Sequence, residues 1–188
     1  AASKLSGIFN TAQIAARDFG NRIRVLDSQQ LSLGLGFQVI SAAKAALDNL
    51  DLDSILERVH NIQKRVRMFA LLDTLEYIHR SGRVSWAKAR LGAFLQIKPF
   101  IELTRGEVKQ MGFTRTRHNG QERLMKLLTD LGPLEYLAVL HTNAPGEADR
   151  FLENYPLSPP PHTLLVNVTT VIGSHVGPGG LGFAAVVK

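Results

Sequence analysis

The residues best placed to do chemistry form a short run near the C-terminal end, Gly173-Ser-His-Val-Gly-Pro-Gly-Gly-Leu-Gly182. Its glycines allow positive φ and close approach of another group, and Pro178 removes one backbone donor. His175 is its titratable side chain, of the type whose charge changes near neutrality. A Gly-rich loop with one histidine suits an anionic group held mainly by backbone N–H groups. The same composition also suits a loop that only turns sharply between Val171 and Phe183, and loop chemistry leaves both readings open. Gly177, Gly179 and Gly182 match G-x-G-x-x-G, but a dinucleotide site needs a helix opening there and an acidic residue about 20 positions on. Only Phe-Ala-Ala-Val-Val-Lys follows, so a Rossmann cofactor site is rejected.

A second candidate lies at the other end of the chain. Leu5, Ile8, Phe9, Ala12, Ala15 and Phe19 recur at helical spacing, predicting an amphipathic helix over about 5–18. Ser3, Ser6 and Gly7 stand at its start. Serine there is either an N-cap or part of an anion site built on free N–H groups and the helix dipole. Ser6 and His175 also admit an enzyme reading, as nucleophile and base of a hydrolase or acyltransferase. That reading lacks a G-x-S-x-G elbow and an evident acidic partner for His175. Metal binding has little support, since the six histidines form no i, i+4 pair and cysteine is absent.

The chain that must position these groups has 188 residues, 45% of them apolar, enough for one domain or two small ones. It contains no apolar run of about 18 residues, so no spanning helix and no membrane insertion is expected. No secretory signal pattern is visible. With no cysteine, a cytoplasmic location is the default. The net charge of +6 favours acidic partners. The bases are spread along the chain rather than gathered in a stripe, so nucleic acid is not expected as a partner. The chain does not begin with Met and opens directly on the Ser3–Gly7 motif, which suggests the inner part of a larger protein.

Pattern and turn chemistry predict alternating helices and strands, hence an α/β class. Strands are expected at 22–26, 68–72, 97–103, 108–114, 134–141, 164–169 and 183–187. Helices are expected at 33–49, 52–66, 73–80, 86–96, 124–131 and 147–155. Ser54/Glu57 and Asp73/Glu76 read as capping boxes, Gly82 as a helix stop, and Arg105-Gly106 as a hairpin turn that implies a mixed sheet. A boundary near Arg67 divides the chain into residues 1–67, the remainder of an N-terminal α/β domain, and 68–188, a C-terminal α/β domain. The first part has too little strand to cover its helices.

Seven motifs occur in order: Ser3-Lys-Leu-Ser-Gly7, Leu26-Asp-Ser28, Leu33-Gly-Leu-Gly36, Asp73-Thr-Leu-Glu-Tyr-Ile78, Gly82-Arg-Val-Ser85, Leu95-Gln-Ile-Lys-Pro99 and Gly173-Ser-His-Val-Gly-Pro-Gly179. Together they resemble the DegV family, which includes the fatty-acid-binding subunits of bacterial fatty acid kinase, and the resemblance covers essentially the whole chain. It implies a two-domain α/β architecture with a lipid site between the domains, the N-terminal domain being incomplete here. It also implies a mixed sheet flanked by helices in the C-terminal domain. The implied protein is not an enzyme. It is a carrier in phospholipid metabolism that presents a long-chain fatty acid to a partner kinase for acyl-phosphate formation, with no other cofactor.

The resemblance places the fatty-acid carboxylate on Ser6, Gly7 and His175. The family's upstream Thr-Ser-Gln-Pro motif has no counterpart. Ile8 and Val176 stand where the family usually has threonine, so two hydroxyls near the expected head group are missing. Leu75, Ile78, Leu95, Ile97 and Phe100 are the candidate lining of an apolar tunnel, with ordinary core packing as the competing reading. Arg105, Lys109, Arg115, Arg117 and Arg123 lie on or just after the predicted hairpin. Arg115 and Arg117, two apart, should share one strand face and form the kinase contact, because the family uses an arginine in this Thr-Arg-Thr-Arg region for that purpose.

Overall fold

A computed structural model describes residues 1–84, 86 and 97–188. Its centre is a six-stranded sheet of β1 (Val66–Leu71), β2 (Lys98–Thr104), β3 (Glu107–Thr114), β4 (Leu134–His141), β5 (Leu164–Asn167) and β6 (Leu181–Val187). The strand order is β3-β2-β1-β6-β4-β5. All pairs are antiparallel except β4 with β5, so the sheet is mixed as expected. The β2–β3 hairpin turns through Arg105 and Gly106, both at positive φ, in the two-residue connection that matches strand twist.

Strand alternation divides the core. On one face Phe69, Leu71, Phe100, Leu137, Val139 and Phe183 pack under α5 (Arg117–Thr129) and α6 (Pro145–Glu153), which contribute Leu124, Leu128, Ala148 and Phe151. On the opposite face Val66, Ala138, Leu140, Ala184 and Val186 pack with Phe37 of α2 (Ser32–Leu47) and Ile62 of α3 (Leu52–Arg65). The rest of that face lies under α4 (Glu76–Arg80) and α7 (Thr170–Val176), where Leu72, Ile78, Val84 and Ile101 form a third cluster. Position 67 falls inside β1, and α2 and α3 share their core with β1, β4 and β6.

Several local expectations are corrected. Residues 23–26 join no strand. A 3₁₀ segment runs through Arg22, kinked at Gly20, and Ile23 beyond it is exposed with no strand to pair with. The helix expected over 5–18 is α1 (Ile8–Ala16), and none of its residues is buried. Asp51, not Ser54, caps α3, accepting from Ser54 N at 2.8 Å. The Asp73/Glu76 box does not form: α4 starts at Glu76, whose N–H is held by Thr74 Oγ1. Gly82 does close α4, with φ +67° and its N–H on His79 O. The helix expected from Trp86 lies, beyond Trp86 itself, outside the described residues.

The Gly-rich run is not one loop. Residues Thr170 to Val176 are helical, so His175 rides in the last turn of α7, and only Gly177–Gly180 turn. Gly177 ends the helix at φ +79°, and an added Cβ would sit 2.4 Å from the Tyr77 ring of α4. Glycine is therefore required there twice over, for conformation and for space.

Candidate functional site

The sheet face between α4 and α7 carries an apolar cavity of about 140 Å³. Its floor is Met68 and Ala70 of β1, Ile101 and Leu103 of β2, Val108 of β3, Leu140 of β4 and Gly182 of β6. These residues follow from alternation along strands that pair in register, Ala70 opposite both Ile101 and Gly182. Small residues set the floor low. A Cβ on Gly182 would meet the Phe69 carbonyl at 2.5 Å and the Ala70 Cβ at 2.9 Å. The walls are Ile78 of α4, Val84, and Ile172, His175 and Val176 of α7, with Leu5 and Leu31 arriving from the first part of the chain.

The Gly179-Gly180 turn beside the cavity is clamped by Thr142, a buried residue that sequence reasoning missed. Its Oγ1 accepts from Gly180 N at 2.6 Å, its carbonyl accepts from Gly179 N at 2.8 Å, and its own N–H donates to Gly180 O. The neighbouring His141 is also buried, and its Nδ1 accepts from Ala144 N at 3.1 Å, tying the end of β4 to the start of α6. Thr142 gave no sequence signal, because it follows β4 and its partner lies 38 positions away.

Ser6 and Gly7 stand at the start of α1, in a separate shallow cleft with Ser3, Lys4, Leu5, Ser81, Gly82 and Arg83. Leu5, Ser81 and Arg83 border both this cleft and the apolar cavity, so the two are continuous at one rim. Gly7 is the N-cap and makes no side-chain cap bond. Ser6 Oγ accepts a long bond from Ile8 N, 3.3 Å, which leaves its O–H free to donate. Nothing lies within 4 Å of a Cβ on Gly7, so the helix start is open to a ligand. Ser3 is committed elsewhere: its hydroxyl and N–H both bond the Asp27 carboxylate. Partial burial acts to raise the Asp27 pKa, but bonds from Ser3 Oγ, Gln29 N and Ser3 N together hold it below the ordinary carboxylate range.

The remaining predicted site residues divide. Of the tunnel candidates, Ile78 lines the cavity. Leu75 packs against the cluster beneath it, and Ile97 is half-buried but not in the lining. Leu95 lies outside the described residues. Phe100 is corrected: it pairs with Leu71, faces the opposite side of the sheet, and is fully buried in the main core with Arg123 over its ring. Sequence periodicity marked it apolar without saying which face it takes.

Arg115 and Arg117 do not share a strand face. β3 ends at Thr114, and Arg117 is the first residue of α5. The Arg117 guanidinium is half-buried on Glu147, with Nε at 2.8 Å and one Nη at 2.7 Å, joining α5 to α6. Arg123 is likewise spent, donating to Met111 O. Arg115 is exposed and has no ion pair among the described residues.

No hydrogen bond joins Ser6 to His175, and no carboxylate bonds His175, among the described residues. A nucleophile–base pair is therefore not assembled. Among the described residues no group of three or more His, Cys, Asp or Glu could hold a metal ion, and no helix is long and apolar enough to cross a membrane.

The model of the DegV family, described as an uncharacterised protein family, matches residues 1–188. The chain belongs to the DegV family. DegV domain-containing proteins of Clostridium acetobutylicum and Mycobacterium tuberculosis are 32% and 31% identical to it, over 97% and 96% of this chain and 67% and 66% of their own. The chain thus spans about two thirds of the length of these relatives. A fatty-acid-binding DegV family protein from Thermus thermophilus has the same fold with a TM-score of 0.87 and 28% identity, over all of this chain and 69% of that one. DegV of Bacillus subtilis, a fatty acid binding protein, aligns with a TM-score of 0.81 and 29% identity, covering 100% of this chain and 68% of its own.

Proposed function

We propose that this DegV protein is a carrier for a long-chain fatty acid, with the acyl chain in the apolar cavity and the carboxylate at the rim among Ser6, Gly7 and His175. The observation that carries the reading is the join between an apolar cavity and an open helix start that offers free donors. An apolar pocket with a few convergent polar groups is the general form of a small-molecule site. A helix N-terminus with a free hydroxyl donor suits a carboxylate. The fatty-acid-binding relatives from Thermus thermophilus and Bacillus subtilis support the same ligand class. The division into residues 1–67 and 68–188 belongs to this proposal, with Leu5 and Leu31 of the first part reaching the cavity.

The carrier role extends to a partner kinase that phosphorylates the presented carboxylate. Its support is Arg115, exposed and without an ion pair among the described residues, beside the β3–α5 corner, and the family resemblance. A cytoplasmic location in a bacterium goes with this role. The hydrolase alternative has less support, because Ser6 and His175 are not hydrogen-bonded.

The test is mass spectrometry of lipid released from natively purified protein, followed by titration of the identified fatty acid into the Ser6→Ala variant. A long-chain fatty acid should be released, and the variant should lose about 1.5–3 kcal/mol of affinity, the range for a hydrogen bond to a charged group. Absence of fatty acid together with no uptake of added fatty acid overturns the reading.

A further inference from the structure

His175 is half-buried, and its imidazole makes no hydrogen bond among the described residues. Its place at the cavity is therefore set by the backbone that carries it. That backbone is α7, a seven-residue helix with no buried residue, too short and too exposed to hold its own position. What ties down its C-terminal end is the Gly177–Gly180 turn.

The turn has three backbone donors, because Pro178 has none. Gly177 N bonds back to Gly173 O at 2.8 Å and closes the helix. Thr142 takes the other two: its carbonyl accepts from Gly179 N at 2.8 Å, and its Oγ1 accepts from Gly180 N at 2.6 Å. Its own N–H donates to Gly180 O at 3.0 Å. Any residue at position 142 could make the two bonds of its backbone, but only a polar side chain can take the Gly180 N–H. That bond is buried, so removing the hydroxyl leaves a buried donor unpaired, which is the costly case. An added Cβ on Gly180 would sit 2.8 Å from Thr142 Oγ1, so the contact has no slack. Gly177 and Gly179 give the turn wide conformational freedom, and the hydroxyl helps to select one shape from it.

We infer that Thr142 is a positioning residue of the head-group site: its hydroxyl fixes the turn, the turn fixes the end of α7, and that end holds His175 at the cavity. Thr142 and His175 both border the cavity, one just beyond β4 and the other on α7. The lipid's part in this assignment rests on the fatty-acid reading above; the clamp rests on the hydrogen bonds alone.

Thr142→Val keeps the side-chain shape and removes the hydroxyl, while Thr142→Ser keeps the hydroxyl. Palmitate is titrated into the wild type, both variants, His175→Ala and the double variant Thr142→Val/His175→Ala. The His175 ring signals, identified by their loss in His175→Ala, are followed by NMR without ligand, and a thermal melt checks that each protein is folded. Thr142→Val should bind palmitate about fivefold more weakly and should move or broaden the His175 signals. Thr142→Ser should restore both. In the His175→Ala background Thr142→Val should cost less than about twofold, because the clamp acts through the imidazole. Should Thr142→Val not melt cooperatively, Thr142→Ala, which leaves room for a water at Gly180 N, replaces it in every arm. Fully additive losses in the double variant make Thr142 an independent wall or ligand contact and overturn the assignment. So do His175 signals that ignore the loss of the hydroxyl. A wild type that takes up no palmitate overturns the fatty-acid reading and the clamp's part in it, and the ligand-free spectra tell that outcome apart from failure of the clamp.

Discussion

Ala70 offers the most direct test that the acyl chain lies on the sheet. It sits on the cavity floor opposite Gly182 and Ile101. Ala70→Leu would project about three extra methylene equivalents into a space of about 140 Å³. If these displace as many carbons of a bound chain, the loss is about 0.8 kcal/mol each, or about 2.4 kcal/mol in all. At about 1.4 kcal/mol per tenfold, palmitate should bind roughly fiftyfold more weakly. The ligand-free protein should not suffer, because filling an existing apolar cavity is neutral to stabilising. Its melting temperature should stay within about 2–4 °C of wild type, the shift that 1 kcal/mol causes in a chain of this size. Calorimetric titration and a thermal melt on the same samples separate the two effects. Unchanged palmitate affinity with an unchanged melt would refute the placement of the chain. A large fall in melting temperature would show instead that the cavity is too small to take the side chain.

Gly177→Ala should destabilise the protein by about 2 kcal/mol or more, since it forces a Cβ against Tyr77 at φ +79°; denaturant unfolding with no change in midpoint would contradict the Tyr77 contact. Asp27 has a folded pKa below its unfolded value of about 3.9, so it contributes stability above that value that is lost as pH falls through the folded pKa. Asp27→Asn should therefore flatten the acid limb of the stability–pH profile, and an identical limb in both proteins would show that the Ser3–Asp27 bonds do not form. If the proposed kinase partner exists, Arg115→Glu should weaken association with it and leave fatty-acid affinity intact, measured by pull-down and titration; loss of lipid binding with kinase association unchanged would move Arg115 into the pocket.

The sequence by itself determined what depends on neighbours along the chain. The periods of β1, β2, β3 and β4, the helices α2 and α3, the Arg105-Gly106 turn and the stop at Gly82 were all legible, because each is set by local φ preferences and by an alternation of apolar residues that any partner surface would satisfy. The seven ordered motifs carried the family for the same reason: they are strings of adjacent residues. Only the tertiary structure decided what each apolar residue faces. Phe100 and Ile101 are adjacent and equally apolar, yet one fills the main core and the other lines the cavity, because the strand turns successive side chains to opposite faces and only the packed helices say which face is which. Residues 22–26 read as a strand but found no edge to join. Thr142, 38 positions from the turn it clamps, had no local pattern to announce it. Its role arises from long-range hydrogen bonds, which exist only once the chain has closed on itself.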